Sequence, residues 1–168
     1  MPEFNLEDGL ICYNWTPLVA DYVIDYPQEF YENWGVKRLH DKENMKISDI
    51  DEMKENDVIF VKTDFIINGQ FQSEVMSKIK TPFNLITAVS SYLVERDMET
   101  PDSYKDILNN EYLQNWFCTN PPKEENDKLH GLPVGFAEPN RLVSNQKVLK
   151  SLQKNRKPFE EKAVIRLK

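Results

Sequence analysis

Asp57-Val58-Ile59-Phe60-Val61-Lys62-Thr63-Asp64 is the stretch that decides the fold of this chain. Val58 to Val61 are apolar without interruption, whereas a strand with one wet face would alternate apolar and polar side chains. Such a run reads as a strand covered on both faces, the environment of a parallel sheet flanked by other layers. Downstream of Gly69, the residues Phe71, Val75 and Ile79 recur every fourth position, the spacing of one helix face. A second apolar run, Phe83-Asn84-Leu85-Ile86-Thr87, follows. Strand, helix and strand in succession imply a right-handed crossover and parallel pairing.

Outward from this unit, Leu10 to Asn14 is a strand candidate, and Pro27 to Trp34 reads as a short helix stopped by Gly35. Ser48 can cap a second short helix with Ile50 and Met53 facing inward. Thr100-Pro101 opens a helix carrying Ile107 and Leu108, and Trp116-Phe117 belongs to a strand. The loop Asn120 to Asp127 is rich in charge and proline and is expected to be exposed. Leu129 to Phe136 reads as a short strand turning at Pro133 and Gly135, Pro139 to Lys154 as a long helix, and Ala163 to Leu167 as a last strand. The expected architecture is one α/β domain over residues 1–168, Rossmann-like and three-layered with a mostly parallel sheet. Residues 155–168 read as a linker and strand leading toward a further lobe. In such sheets ligands bind at the carboxyl ends of the strands, which ranks the strand exits as sites.

The 168 residues are 40% hydrophobic and 11% aromatic, enough for a packed core. The net charge of −7 makes a nucleic-acid backbone or an anionic membrane a poor partner. No apolar run reaches the roughly 20 residues needed to span a bilayer, and no signal segment opens the chain, so a cytoplasmic setting is expected. Cys12 and Cys118 each sit in an apolar run, as small buried hydrophobes do, and neither a disulfide framework nor a metal site is expected.

Three strand exits carry the candidate chemistry. Lys62-Thr63-Asp64 places a cation, a hydroxyl and a carboxylate at the end of a buried strand, where they bind hydroxyls or phosphate, or solvate the strand end. Ser90 and Ser91 gather hydroxyls after the next strand. His130 to Phe136 combines two glycines, a proline and a histidine, a turn that lets backbone approach a ligand. Only His40 and His130 are present as histidine partners for a serine nucleophile, and no phosphate-binding glycine loop is visible, so hydrolase chemistry is disfavoured.

Several of these pieces, in order, resemble exostosin-like glycosyltransferases of large viruses, bacteria and algae. The matching residues are Ile59-Phe60-Val61-Lys62-Thr63-Asp64-Phe65, Leu85-Ile86-Thr87 with Ser90-Ser91-Tyr92, Trp116-Phe117-Cys118-Thr119-Asn120, and Lys128-Leu129-His130-Gly131-Leu132-Pro133-Val134-Gly135-Phe136. The resemblance spans roughly residues 57–140. It implies the amino-terminal, acceptor-holding lobe of a GT-B type enzyme that moves a sugar from a nucleotide-sugar to a glycan without a metal or other cofactor. On that resemblance Asp64 is the general base, and Lys62, Thr63, Ser90, Ser91, Asn120, His130 and Gly135 line the acceptor cleft. The donor lobe would then be a further lobe or a partner chain. Ala88-Val89-Ser90-Ser91 departs from the acidic or Asn/His-rich exit of the family, which leaves a non-catalytic binding or protein-interaction module as the alternative.

Overall fold

A computed structural model of the chain describes residues 13–33, 35, 38, 40–98 and 103–133. The chain divides into two compact units, Met1–Phe136 and Ala137–Lys168, and every described residue lies in the first. Five strands form one sheet: β1 (Tyr22–Ile24), β2 (Asp57–Lys62), β3 (Phe83–Ala88), β4 (Leu113–Cys118) and β5 (Leu129–Gly131). They stand in chain order β1-β2-β3-β4-β5, and every neighbouring pair is parallel. The sheet is thus fully parallel, within the Rossmann-like α/β class expected from the alternation of strands and helices.

The strand order has a physical consequence. Each strand is laid beside its predecessor in the same direction, so right-handed crossovers all return over one face of the sheet. The core bears this out. Ile59 and Val61 of β2, Phe83 and Leu85 of β3, and Trp116 and Cys118 of β4 pack against residues from the three successive connections. Met53 comes from the first connection, Ile66, Phe71, Met76 and Ile79 from the second, and Val94, Tyr104, Ile107 and Leu108 from the third. The alternate residues of the same strands, Phe60, Ile86 and Ala88, join Ala20 and Val23 in a second apolar cluster on the opposite face. A 3₁₀ segment, Tyr13–Val19, packs on β2 and β3. Sheet, crossover layer and amino-terminal segment together make three layers.

The helical elements of the connections are short. They are α1 (Gln28–Glu32), α2 (Thr63–Ile67), α3 (Val94–Asp97) and α4 (Tyr104–Leu108), with 3₁₀ turns at Ile47–Glu52 and Met76–Lys78. The repeat of Phe71, Val75 and Ile79 predicted a regular helix. Instead Phe71–Val75 is a single π-helical turn running into the 3₁₀ turn, with Ile79 extended beyond it. Phe71 and Ile79 are buried all the same, so the apolar period marked burial correctly while backbone geometry followed the short span available. Gly69, at φ +74°, ends α2 in the left-handed region, where a side chain would be strained.

Of the strand candidate Leu10 to Asn14, Leu10 to Cys12 lie outside the described residues, and the rest is not strand. Tyr13 and Asn14 lie in the 3₁₀ segment, and β1 is the three-residue Tyr22–Ile24, bracketed by Asp21 and Asp25. Three residues are too few to display a period, so tertiary pairing with β2 decided the matter. Gly135, the helix from Pro139, the last strand, Cys12, Trp34 and Thr100-Pro101 lie outside the described residues. No helix of the described residues is long and apolar enough to cross a membrane.

A buried polar bond joins β3 and β4. Trp116, fully buried, donates its indole Nε1–H to Thr87 Oγ1 at 2.8 Å. Thr87→Val keeps the shape and removes the acceptor, leaving the indole N–H unpaired. A loss of about 1–3 kcal/mol is expected, read as a lower urea midpoint with an unchanged slope.

Candidate functional site at the carboxyl edge of the sheet

β2 ends in a charge that the fold must satisfy. Lys62 is 9% exposed. Its ammonium donates to the Val89 carbonyl at 2.7 Å, lies 4.0 Å from Asp64 Oδ2, and stands 5.9 and 5.8 Å from the ring centroids of Tyr26 and Tyr31. Next to it, Thr63 is buried and donates to the Ala88 carbonyl at 3.3 Å. Both side chains therefore tie the exit of β2 to the exit of β3. Val89 takes φ +65°, a conformation that is costly for a β-branched residue. Strain of this kind persists only where the surroundings over-determine it, and the Lys62 bond to its carbonyl is such a constraint.

Beyond Val89 the loop is held from the neighbouring strand exit. Asn120 Nδ2 donates to the Tyr92 carbonyl at 2.9 Å, and the Tyr92 N–H reaches Ser90 Oγ at 3.3 Å. Ser91 and Tyr92 are exposed. Lys62, Thr63, Asp64, Ser90, Ser91 and Asn120 thus come together on one edge of the sheet.

His130 does not join them. It sits within β5, paired in register with Phe117, on whose ring it stacks at 5.0 Å. Its Nε2 meets Asn115 Oδ1 at 2.9 Å, Asn115 Nδ2 donates to Asn84 at 2.9 Å, and Asn84 Nδ2 donates to the Asn56 carbonyl at 3.0 Å. This polar ladder crosses β3, β4 and β5. Three strand spacings separate β5 from β2, roughly 14 Å across the sheet.

The edge also holds a cluster that no sequence motif announced. Asp25, 4% exposed, follows β1 directly. One carboxylate oxygen accepts from the Tyr26 N–H at 2.7 Å and from the Tyr31 hydroxyl at 2.7 Å. The other lies 3.2 Å from His40 Nε2 and 3.9 Å from Arg38 Nε. Because a carboxylate can only accept, His40 Nε2 carries the hydrogen. Asn44 accepts from the Asp25 N–H at 3.1 Å and from Arg38 at 2.8 Å, and donates to the Asp25 carbonyl at 2.5 Å. Burial alone would push the Asp25 carboxyl up. Hydrogen bonds from His40 and Tyr31, with the Lys62 charge, outweigh it and hold the carboxyl below its usual value. Burial and the bond to Asp25 push the Tyr31 phenol up, so it stays a donor.

Over this buried cluster lie aromatic rings. Tyr26 stacks on Phe30 with centroids 3.9 Å apart at 18°, and Phe65 tilts against Tyr26 at 4.9 Å. Burial, then the charge of Asp64, raises the Tyr26 phenol. Asp64 itself is half-buried, and its Oδ2 is shielded from solvent with no hydrogen-bond partner among the described residues. Asp64 Oδ2 lies 4.0 Å from the Lys62 ammonium and the Tyr26 phenol bonds the carboxylate, so its charge is matched within the edge. Among the described residues no three His, Cys, Asp or Glu side chains gather as a metal site. Burial pushes the Cys118 thiol up, so it behaves as a buried hydrophobe.

Comparison with protein-family models, with curated proteins and with solved structures returns no match for the chain.

The Asp25 cluster gives a signed pH dependence. A carboxyl held low in the folded state stabilises fully above the unfolded value near about 3.9, and this contribution is lost as pH falls through the lower folded value. Asp25→Ala is expected to cost about 3 kcal/mol at pH 5, because the buried cationic partners lose their counterion. That difference from the parent protein should shrink steadily between pH 4 and pH 2 in urea unfolding.

Proposed function

We propose that the carboxyl edge of this sheet holds a glycan acceptor, as the acceptor lobe of a glycosyltransferase that uses a nucleotide-sugar donor. The observation that carries the reading is the Asp64 carboxylate. It stands at the exit of a strand buried on both faces, its Oδ2 has no hydrogen-bond partner among the described residues, and aromatic rings lie beside it. The ordered resemblance over residues 57–140 supports the same reading.

In this scheme the groups that shield Asp64 move aside as the acceptor docks, and an acceptor hydroxyl donates to its carboxylate. As the hydroxyl oxygen attacks the anomeric carbon of the donor, its proton passes to the carboxylate. The bond from the anomeric carbon to the nucleotide phosphate breaks, and its electron pair leaves with the phosphate. The donor phosphates are met by basic groups of a further lobe or partner chain, and the scheme calls for no metal. Ser91 and the backbone of the 89–92 loop, fixed by Asn120, border the acceptor. Lys62 and Thr63 act from beneath by holding the β3 exit in place.

A second reading is a binding or interaction module without transfer chemistry. It is favoured by the use of Lys62 and Thr63 on backbone carbonyls, which makes two of the matched polar residues structural.

Nuclear magnetic resonance titration with neutral and acidic oligosaccharides and with nucleotide-sugars separates the two. Glycan-induced shifts at Asp64, Phe65, Ser91 and Tyr92 are expected, and Asp64→Asn should weaken them without altering the dispersion of the spectrum. In a transfer assay Asp64→Asn should lower turnover by about 10²–10⁴-fold, the usual worth of a general base. Glycans that leave the 62–65 and 89–92 segments unperturbed would remove the acceptor reading.

A further inference from the structure

We infer that Asn68-Gly69 is a site of spontaneous isoaspartate formation, and that the fold sets its rate through the hydrogen bond of one backbone N–H. It is the single Asn-Gly step in the sequence. The step closes α2, with Asn68 exposed at φ −83° and ψ 1° and Gly69 in the left-handed region at φ +74°. A Cβ placed on Gly69 would have no atom within 4 Å, so open space surrounds the residue that supplies the attacking nitrogen. Gly69 has no side chain to obstruct the attack, and its backbone reaches conformations closed to other residues. In the reaction, solvent base takes the Gly69 amide proton and the nitrogen attacks Asn68 Cγ. The bond from Cγ to the side-chain nitrogen breaks, and ammonia leaves after taking a proton from water. Water then opens the cyclic succinimide at either carbonyl. Opening at Cγ leaves aspartate; opening at the main-chain carbonyl leaves isoaspartate, with the chain now running through Cβ.

The folded chain guards both reacting groups. The Gly69 N–H donates to the Ile66 carbonyl at 3.1 Å, and Asn68 Oδ1 accepts from the Gln70 N–H at 3.0 Å. Attack requires the first bond to open and the side chain to turn from the second. α2 has five residues, so these bonds close an exposed helix end that opens far more readily than the core. The product bears on the edge of the sheet, since α2 begins at Thr63 and Asp64. The Asn68 N–H donates to the Asp64 carbonyl at 3.2 Å, and the Gly69 carbonyl accepts from the Ser73 N–H at 3.1 Å and hydroxyl at 3.0 Å. An isoaspartate inserts a methylene into the main chain between those two turns. It also puts a carboxylate a helical turn from Asp64, a like-charge pair that destabilises the helix.

The test incubates the full chain at alkaline pH, folded and in guanidinium chloride strong enough to unfold it, with peptide mass spectrometry that separates aspartate from isoaspartate. Asn68 is expected to convert before any other asparagine in both conditions. Unfolding should accelerate its conversion at least about fivefold, the worth of the guarding bonds. Asn68→Gln should yield neither product at this position, because the corresponding ring is larger and closes slowly. If another asparagine converts first, or Asn68→Gln converts as fast as the parent, the site is overturned. If folded and unfolded chains convert Asn68 at equal rates, control by the Gly69 bond is overturned.

Discussion

A lysine ammonium at the end of a doubly buried strand is the constraint on which the carboxyl edge depends. β2 lies between β1 and β3, with Ile59, Phe60 and Val61 wholly removed from water. Its last residue cannot leave a charge in that environment without partners. Lys62 finds them in the Val89 carbonyl, in Asp64 and in two tyrosine rings. Each partner is thereby positioned. Val89 is held in a left-handed conformation, Asp64 pairs with the ammonium, and the Tyr26 and Tyr31 rings stand 5.9 and 5.8 Å from it.

The second constraint is topological. Five parallel strands in chain order carry no reversal among the described strands, so the crevice that doubly wound sheets open at a change of strand order is not generated. The polar grouping at this edge arises from side chains instead. Asp25 nucleates it by collecting His40, Arg38, Tyr31 and Asn44, which come from a connection with little regular structure of its own. A loop without a helix ladder satisfies its backbone through such side-chain bonds, as the paired bonds between Asp25 and Asn44 do. Bond networks of this kind make a loop rigid enough to present aromatic rings at fixed angles.

Rigidity beneath and partial exposure above is the arrangement a binding surface requires. The buried Asp25 cluster supplies the support. Tyr26, Phe30, Asp64 and Ser91 supply groups of mixed polarity at the surface. Asn120 fixes the 89–92 loop from β4, so three successive strand exits contribute to one edge.

Much of this was legible in residue order. The unbroken apolar run of β2, and the second run of β3, fixed parallel pairing and double burial because only a covered strand tolerates both faces being apolar. The strand exits were identifiable for the same reason: Lys62-Thr63-Asp64 and Ser90-Ser91 are polar residues placed immediately after such runs. The β1 segment was not legible, because three residues show no period. His130 looked like a strand-exit residue, yet register with Phe117 sets it inside the sheet. The Asp25 cluster lay beyond reach as well, since its members stand 6 to 19 positions apart with no helical or strand spacing to link them. Sequence determines which segments must be buried, because burial is written in local composition. Tertiary structure alone decides which distant polar groups meet, because a buried charge takes its partners from whatever the folded chain brings within reach.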